Sequence, residues 1–336
     1  MFPWRIYKIS QNKAIEAYAV AVTEYQKGNI PKAIKFWKKV TGNQSIEERI
    51  RAKANLGLGF AYSKLDKYKE ALSSFKDALI IFQKLKDEKA QAESLGLIGG
   101  LYFRNNLIKE ALNAYQTALF ICRKIKNKEM EADILGDIGS ILDFLDKYDD
   151  AIDFFTRALK IYRKIPRRKG KRGEGRTLYD LGLALFHANK LEGARSHLEK
   201  SIRLMKKNND KKGEANCNVT LADIHLELKE TEIAEKYYNQ ALKYFQSHKN
   251  ILGIINCEIG FGKIIFERGD FIQAKDKFEE VLRLATEANY LKLQATALLF
   301  LSKIYNQLDN AKEAENSDKK ANKILKDLGI KLEEAS

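Results

Sequence analysis

The order of apolar and polar residues along the chain predicts helices throughout. Residues 68–82 show the pattern well, because apolar side chains recur there every three or four positions, as one buried face of an amphipathic helix requires: Tyr68, Ala71, Leu72, Phe75, Ala78, Leu79 and Phe82. No segment shows the strict alternation of apolar and polar residues that is typical of a half-buried strand. The sequence therefore predicts an all-α protein.

The same pattern returns with a period of about 40 residues. A small residue recurs at spacings between 38 and 43, at Ala21, Gly59, Gly99, Gly139, Gly182, Ala222, Gly262 and Ser302. We count positions in each repeat from this residue. An alanine stands at +12 in all eight repeats, and a bulky side chain stands at +16 in seven. Because small residues let two helices cross closely, the register predicts one pair of helices, A and B, in each repeat.

Residues that favour helix ends stand between the predicted A and B helices. Glycine, asparagine or aspartate occupies matching places in six repeats, at Gly28, Asp66, Asn106, Asp146, Gly269 and Asp309. The chain has only 3 prolines among its 336 residues, and proline is the residue that helix interiors exclude most strongly. Both observations support eight helix-turn-helix units.

The motif Leu58-Gly59-x-x-Tyr62, followed by Ala71, Phe75 and Ala78, resembles the tetratricopeptide repeat. The resemblance covers residues 14–328, and the long period resembles the branch found in kinesin light chains and in scaffolds that regulate G proteins. It implies a right-handed α–α superhelix, or solenoid, whose A helices line a concave groove for a peptide or a helix. Residues 1–13 are expected to form an N-terminal cap, and residues 329–336 a C-terminal tail.

Once the packing positions are assigned, one face of each predicted A helix remains. It is formed by the residues at −6, −2, +1 and +5. We name it the A-helix face, and in the tetratricopeptide resemblance it lines the groove. Acidic residues in its middle repeats predict a basic protein or peptide partner with apolar anchors, although these charges are alternatively ordinary solvated ones. The candidate binding residues are Phe60, Leu97, Arg104, Asp133, Asp137, Phe144, Asp180, Leu183, His187, Asp223, Glu227, Lys263 and Lys303.

Positive charge is concentrated in one segment. The net charge is +15, and residues 157–176 contain ten Lys or Arg against the single Glu174. Pro166 and three glycines predict an exposed basic loop at 163–176, inserted between repeats 4 and 5. The loop is interpreted either as a site for nucleic acid or an anionic surface, or as a solvated insertion. Its basic residues are Arg163, Lys164, Arg167, Arg168, Lys169, Lys171, Arg172 and Arg176.

The sequence carries no recognisable catalytic motif. Its four histidines are dispersed, and its glycines fit neither of the common phosphate-binding patterns. We therefore expect no enzyme activity, no metal and no cofactor. Three cysteines and the lack of a long apolar segment are typical of a cytoplasmic protein. The predicted function is that of a non-catalytic interaction scaffold or adaptor, and the alternatives are the basic-loop binder and a peptide-sensing regulatory module.

Overall fold

The computed structural model describes the backbone of residues 3–328 and the side chains of residues 12–166 and 169–328. Within residues 3–328 the chain forms sixteen helices and no strand, which confirms the predicted all-α repeat solenoid. The helices are α1 (Pro3–Gln26), α2 (Ile30–Thr41), α3 (Glu48–Lys64), α4 (Tyr68–Lys84), α5 (Glu88–Arg104), α6 (Ile108–Lys124), α7 (Lys128–Phe144), α8 (Tyr148–Tyr162), α9 (Arg167–His187), α10 (Leu191–Lys207), α11 (Lys211–Glu227), α12 (Thr231–Ser247), α13 (Ile251–Glu267), α14 (Phe271–Glu287), α15 (Leu291–Gln307) and α16 (Ala311–Leu328).

The helices belong to two compact units, unit 1 (Met1–Gly173) and unit 2 (Glu174–Ser336). Odd-numbered helices are the predicted A helices, and even-numbered helices are the predicted B helices. Within each unit B helices pack on the A helix before and the A helix after, as α4 does on α3 and α5 in unit 1 and α12 does on α11 and α13 in unit 2. Successive A helices also touch, as α5 and α7 do in unit 1 and α11 and α13 in unit 2. The A-helix faces of neighbouring repeats therefore lie side by side within each unit.

In five repeats the small residue is a glycine that makes room for the bulky side chain at +16. A Cβ atom on Gly59 would lie 2.3 Å from the Phe75 ring, and one on Gly182 would lie 2.7 Å from Leu198. The +12 alanines are buried, with at most 3% exposure. The predicted pairing of A and B helices is therefore confirmed, but the atoms nearest to these glycines belong to the +16 side chain rather than to the +12 alanine.

The turn between A and B helices has the same backbone conformation in all eight repeats. The residue at +7 lies in the left-handed region, with φ between +54° and +84°. The predicted turns are confirmed in six repeats, and Asn189 and Lys229 adopt this conformation in the other two. Glycine, asparagine and aspartate tolerate the conformation best, which explains why they dominate this position.

The basic segment 163–176 is mostly helical, so its prediction as an exposed loop is wrong. Only residues 163–166 lie outside helices, and α9 begins at Arg167 directly after Pro166. Proline is compatible with this place, because its fixed φ and missing N–H do no harm at the start of a helix. The insertion thus lengthens an A helix, and α9 has 21 residues where α7 has 17. The side chains of Arg167 and Arg168 lie outside the described residues.

The glycines of this segment serve close packing rather than disorder. A Cβ atom on Gly170 would lie 2.1 Å from the carbonyl oxygen of Ile165, and one on Gly173 would lie 2.1 Å from the Tyr162 ring. Real Cβ atoms do not approach other atoms so closely, so only glycine lets the start of α9 rest on the end of α8 in unit 1. The glycines that led to the prediction of a loop are instead required by a close helix contact.

The two ends of the chain extend beyond what is described. Residues 3–13 already belong to α1, so this part of the predicted cap is helix continuous with the first repeat. The cap contacts predicted for residues 1–11 lie outside the described side chains, and the predicted tail at 329–336 lies outside the described residues. No helix within residues 3–328 combines the length and the hydrophobicity that crossing a bilayer requires.

Candidate ligand-binding face

In unit 1, the A-helix face opens into a cleft of about 630 Å³ between α3, α5 and α7. Its larger apolar lining residues are Leu56, Phe60, Leu97, Met130 and Ile134, and its charged lining residues are Lys89, Glu93, Glu129, Asp133, Asp137 and Lys169. Four of the predicted residues, Phe60, Leu97, Asp133 and Asp137, therefore come together here. The cleft combines an apolar surface with an excess of carboxylates.

The carboxylates of Asp133 and Asp137 are held by tyrosines from B helices. The Tyr162 hydroxyl donates a hydrogen bond to Asp133 Oδ1, and the Tyr115 hydroxyl donates to the Asp137 side chain. Burial, and then the Asp137 charge, raise the pKa of Tyr115, so this phenol stays protonated as a donor at neutral pH. Such bonds orient the carboxylates and limit their rotamers at the cleft.

Two further predicted residues of unit 1 lie beside the cleft rather than in its lining. Phe144 is 59% exposed, and its ring packs edge-on against Phe103 with a centroid distance of 5.4 Å. Arg104 is exposed at the end of α5 and lies close enough to Tyr115 to lower its pKa slightly against the dominant effect of burial. Phe144 is therefore more exposed than Phe60, which is 41% exposed.

Several lining residues of the cleft were missed by the four-position register. Lys89 and Glu129 stand at −10 and Met130 at −9, one helical turn before the −6 position. Extending the register by one turn would have found them. Lys169 was assigned to the basic segment, but its Nζ lies 3.3 Å from Glu129 Oε2 at the cleft. Part of the predicted basic patch is thus an ion pair of the acidic cleft.

In unit 2, acidic side chains of α9 and α11 gather around Asp223. Its carboxylate accepts a hydrogen bond from the Tyr238 hydroxyl at 2.5 Å, which repeats the tyrosine–carboxylate bonds of unit 1. Burial raises the pKa of Tyr179 to about 12, and Asp180 and Asp223 both lie near this phenol. Three other predicted residues act electrostatically on Asp223, namely His187, Glu227 and Lys263. The structure thus brings five predicted residues into one neighbourhood.

The A-helix face of α13 and α15 carries two lysines, Lys263 and Lys303, and one carboxylate, that of Glu267. The Phe300 ring stacks on the buried Phe278 ring with a centroid distance of 4.7 Å. The amino groups of Lys263 and Lys303 lie 5.3 and 5.0 Å from the centre of the Phe300 ring. Leu183, on α9, is half-buried. The face of unit 2 is therefore less acidic in repeats 7 and 8 than around Asp223.

The sequence matches the model of the tetratricopeptide repeat over residues 50–124, 91–164 and 173–247, which together make up more than half of the chain. The chain belongs to the tetratricopeptide repeat family. No curated protein sequence matches it significantly.

Solved structures share the fold of these tetratricopeptide repeats. The quorum sensor NprR from B. thuringiensis, in its apo form, has 12% sequence identity and a TM-score of 0.77, covering 95% of this chain and 88% of NprR. A Rap protein complexed with Competence and Sporulation Factor has 15% identity and a TM-score of 0.69, covering 94% and 86%. Aspartyl phosphate phosphatase F from Bacillus subtilis has 16% identity and a TM-score of 0.68, covering 90% and 77%. At these identities, the similarity establishes a common fold.

In these tetratricopeptide repeats, Asp223 gives the stability of unit 2 a dependence on pH. Burial raises the pKa of Asp223 above its ordinary value of 3.8, against the opposing effects of Tyr238 and Lys263. The folded state therefore binds more protons than the unfolded state, and this group's contribution to stability falls as pH rises from about 4. Asp223→Asn is expected to stabilise unit 2 at neutral pH and to reduce this dependence. Urea unfolding between about pH 4 and 8 measures this dependence, and Glu232→Gln, at an exposed position on α12, is the control. Lower stability of Asp223→Asn at neutral pH would contradict this assignment.

Proposed function

We propose that this chain is a protein-interaction scaffold whose A-helix face binds a basic peptide or helical segment with apolar anchors. The cleft of unit 1 carries the proposal, because it places apolar side chains beside carboxylates that tyrosines hold in position. A partner with a lysine or arginine next to a large apolar residue would match both parts of this lining.

The charge of the cleft favours a cationic ligand. Its lining has four carboxylates and two lysines, and each lysine lies near a different carboxylate. Lys169 is 3.3 Å from Glu129, and Lys89 is 3.9 Å from Glu93. An approaching anion would meet the remaining negative charge, whereas a guanidinium or ammonium group would be attracted.

The names of the structural neighbours support a regulatory form of the same function. One is a quorum sensor, and another was solved with a bound factor. We therefore extend the proposal to a sensing module, in which a peptide on the A-helix face changes what the scaffold binds. The nucleic-acid alternative has less support, since most of the basic segment is helix and Lys169 faces Glu129. The lack of enzyme activity and the cytoplasmic location stay predictions.

A random peptide library displayed on phage would identify the ligand of the cleft. Peptides are selected on the wild-type chain and counter-selected on the double variant Asp133→Asn with Asp137→Asn, which keeps side-chain size and removes charge. We expect Lys or Arg next to Leu, Ile or Phe in the recovered peptides. Their affinity for the double variant, measured by fluorescence anisotropy, should be roughly tenfold weaker and less sensitive to salt.

A matched control removes two carboxylates from the same unit outside the cleft. Asp150 and Asp153 lie exposed on α8 and do not line it. The double variant Asp150→Asn with Asp153→Asn should bind the selected peptides like the wild type. Equal affinity of both double variants for a peptide would place its binding site elsewhere, and acidic recovered peptides would contradict the proposed ligand.

A further inference from the structure

A second cleft, of about 560 Å³, lies in unit 2 between the B helices α10 and α12. Its apolar lining residues are Ile202, Leu221, Ile233 and Tyr237. None of them belongs to the A-helix face, so this surface is separate from the site of the proposed function. Ile233 is 42% exposed in the first turn of α12, although burying an isoleucine is favourable.

Three cations surround this apolar surface. Arg203 and Lys206 come from α10, and Lys236 comes from α12. None of the three has an ion-pair partner among the residues whose side chains are described. The only carboxylate in the lining is that of Glu199, so positive charge exceeds negative charge at this cleft.

Equivalent positions in other repeats lack this combination. Arg283 stands at the register position of Arg203, but Glu280 and Glu287 neutralise it at 2.6 and 2.5 Å. Arg123 stands at the position of Lys206 and pairs with Glu131 at 3.1 Å. The cleft between α10 and α12 is therefore not a general consequence of the repeat.

Ile233, at +11, also distinguishes this cleft from the equivalent positions of other repeats. The residues there in repeats 2, 3, 4 and 8 are the acidic Glu70, Glu110, Asp150 and Glu313. A carboxylate is favourable in the first turn of a helix, and an exposed isoleucine is not. The isoleucine thus removes a negative charge and adds an apolar surface beside the three cations.

We propose that this cleft binds an acidic protein segment that carries an apolar anchor side chain. Carboxylates of the segment would pair with Arg203, Lys206 and Lys236, while the anchor covers Ile233 and Ile202. Nucleic acid fits less well, because Ile202 and Ile233 in the lining offer apolar contacts and no hydrogen bond to a phosphate. The apolar lining selects a side chain rather than a phosphate.

The test uses the full chain and a random peptide library on phage, counter-selected on Ile233→Glu. This variant restores the residue type of the equivalent positions, so it is expected to fold normally. The recovered peptides should contain Asp or Glu next to Leu, Ile or Phe. A recovered peptide, synthesised with a fluorescent label, should bind Arg203→Gln with Lys236→Gln roughly tenfold more weakly than the wild type, and Ile233→Glu at least as weakly.

The matched control is Lys200→Gln with Lys243→Gln, which removes one exposed lysine from each of the same two helices outside the cleft. It should leave the affinity within about twofold of the wild type. Recovered peptides without acidic residues, or an affinity that Arg203→Gln with Lys236→Gln does not change, would overturn the proposal. Binding of labelled oligo(dT) that depends on Arg203 and Lys236 but not on Ile233 would also overturn it. The Asp133 and Asp137 variants should bind these acidic peptides normally, so this test can fail independently of the proposed function.

Discussion

Tyr238→Ala is expected to lower the free energy of unfolding of unit 2 by about 4 kcal/mol, the range for deleting a buried aromatic ring. The Tyr238 side chain is completely buried, its ring lies 5.6 Å from that of Phe261, and its hydroxyl holds Asp223. The side chain closes the gap between repeats 6 and 7, because a Cβ atom on Gly260 would lie 2.1 Å from its ring. Urea unfolding followed by circular dichroism measures the loss.

Tyr238→Phe separates packing from hydrogen bonding. It keeps the ring and removes only the donor to Asp223, so a loss of about 1 to 2 kcal/mol is expected. Each repeat contacts only its neighbours, so Tyr238→Ala should lower hydrogen-exchange protection in α11–α14 and leave α3–α6 protected. Equal losses of stability for the two variants would show that the ring contributes little.

Gly59→Leu is expected to destabilise unit 1 by about 3 kcal/mol through overpacking. The Cβ atom alone would lie 2.3 Å from the Phe75 ring, which is 1% exposed and cannot move into solvent without opening the core. Gly59→Ala should give a smaller loss with the same sign, although alanine is the better helix former. Thermal unfolding of the two variants shows which of them loses more stability.

Gly136→Ala is the matched control in the same unit. Gly136 lies inside α7, and no described heavy atom beyond its own helix backbone lies within 4 Å of the Cβ that alanine would add. This variant should gain about 0.5 to 1 kcal/mol from helix propensity. A stabilised Gly59→Leu variant would show that the small residue at this register position is not needed for packing.

Much of the fold could be predicted because its determinants recur locally. The +12 alanines, the +16 side chains and the +7 turns repeat about every 40 residues, so each repeat supports the interpretation of the others. The helical structure after Pro166 could not be predicted in this way. Glycine predicts flexibility in an isolated chain, and only the contacts with Tyr162 and Ile165 reveal that Gly170 and Gly173 are required by close packing.

The sequence could predict which positions lie on the A-helix face, but not which hydrogen-bond and ion-pair partners these residues have. The register identified Asp133, Asp137 and Asp223 as face residues, yet their tyrosine donors come from B helices, and the Tyr162–Asp133 bond joins residues 29 positions apart. The register also did not predict the ion pair between Lys169 and Glu129 at the cleft. Such bonds depend on how one helix pair rests on the next.

The amino-acid sequence by itself determined the helix pairs, their turns and the residues of the A-helix face, because helix periodicity, backbone preferences and small-residue crossings act within a repeat. Only the tertiary structure decided which charges are neutralised, which carboxylates a phenol holds, and where apolar side chains stay exposed beside cations. The physical reason is that these properties depend on distances between helices of different repeats. The ion pair between Lys169 and Glu129, for example, joins residues 40 positions apart, and no local pattern encodes that contact.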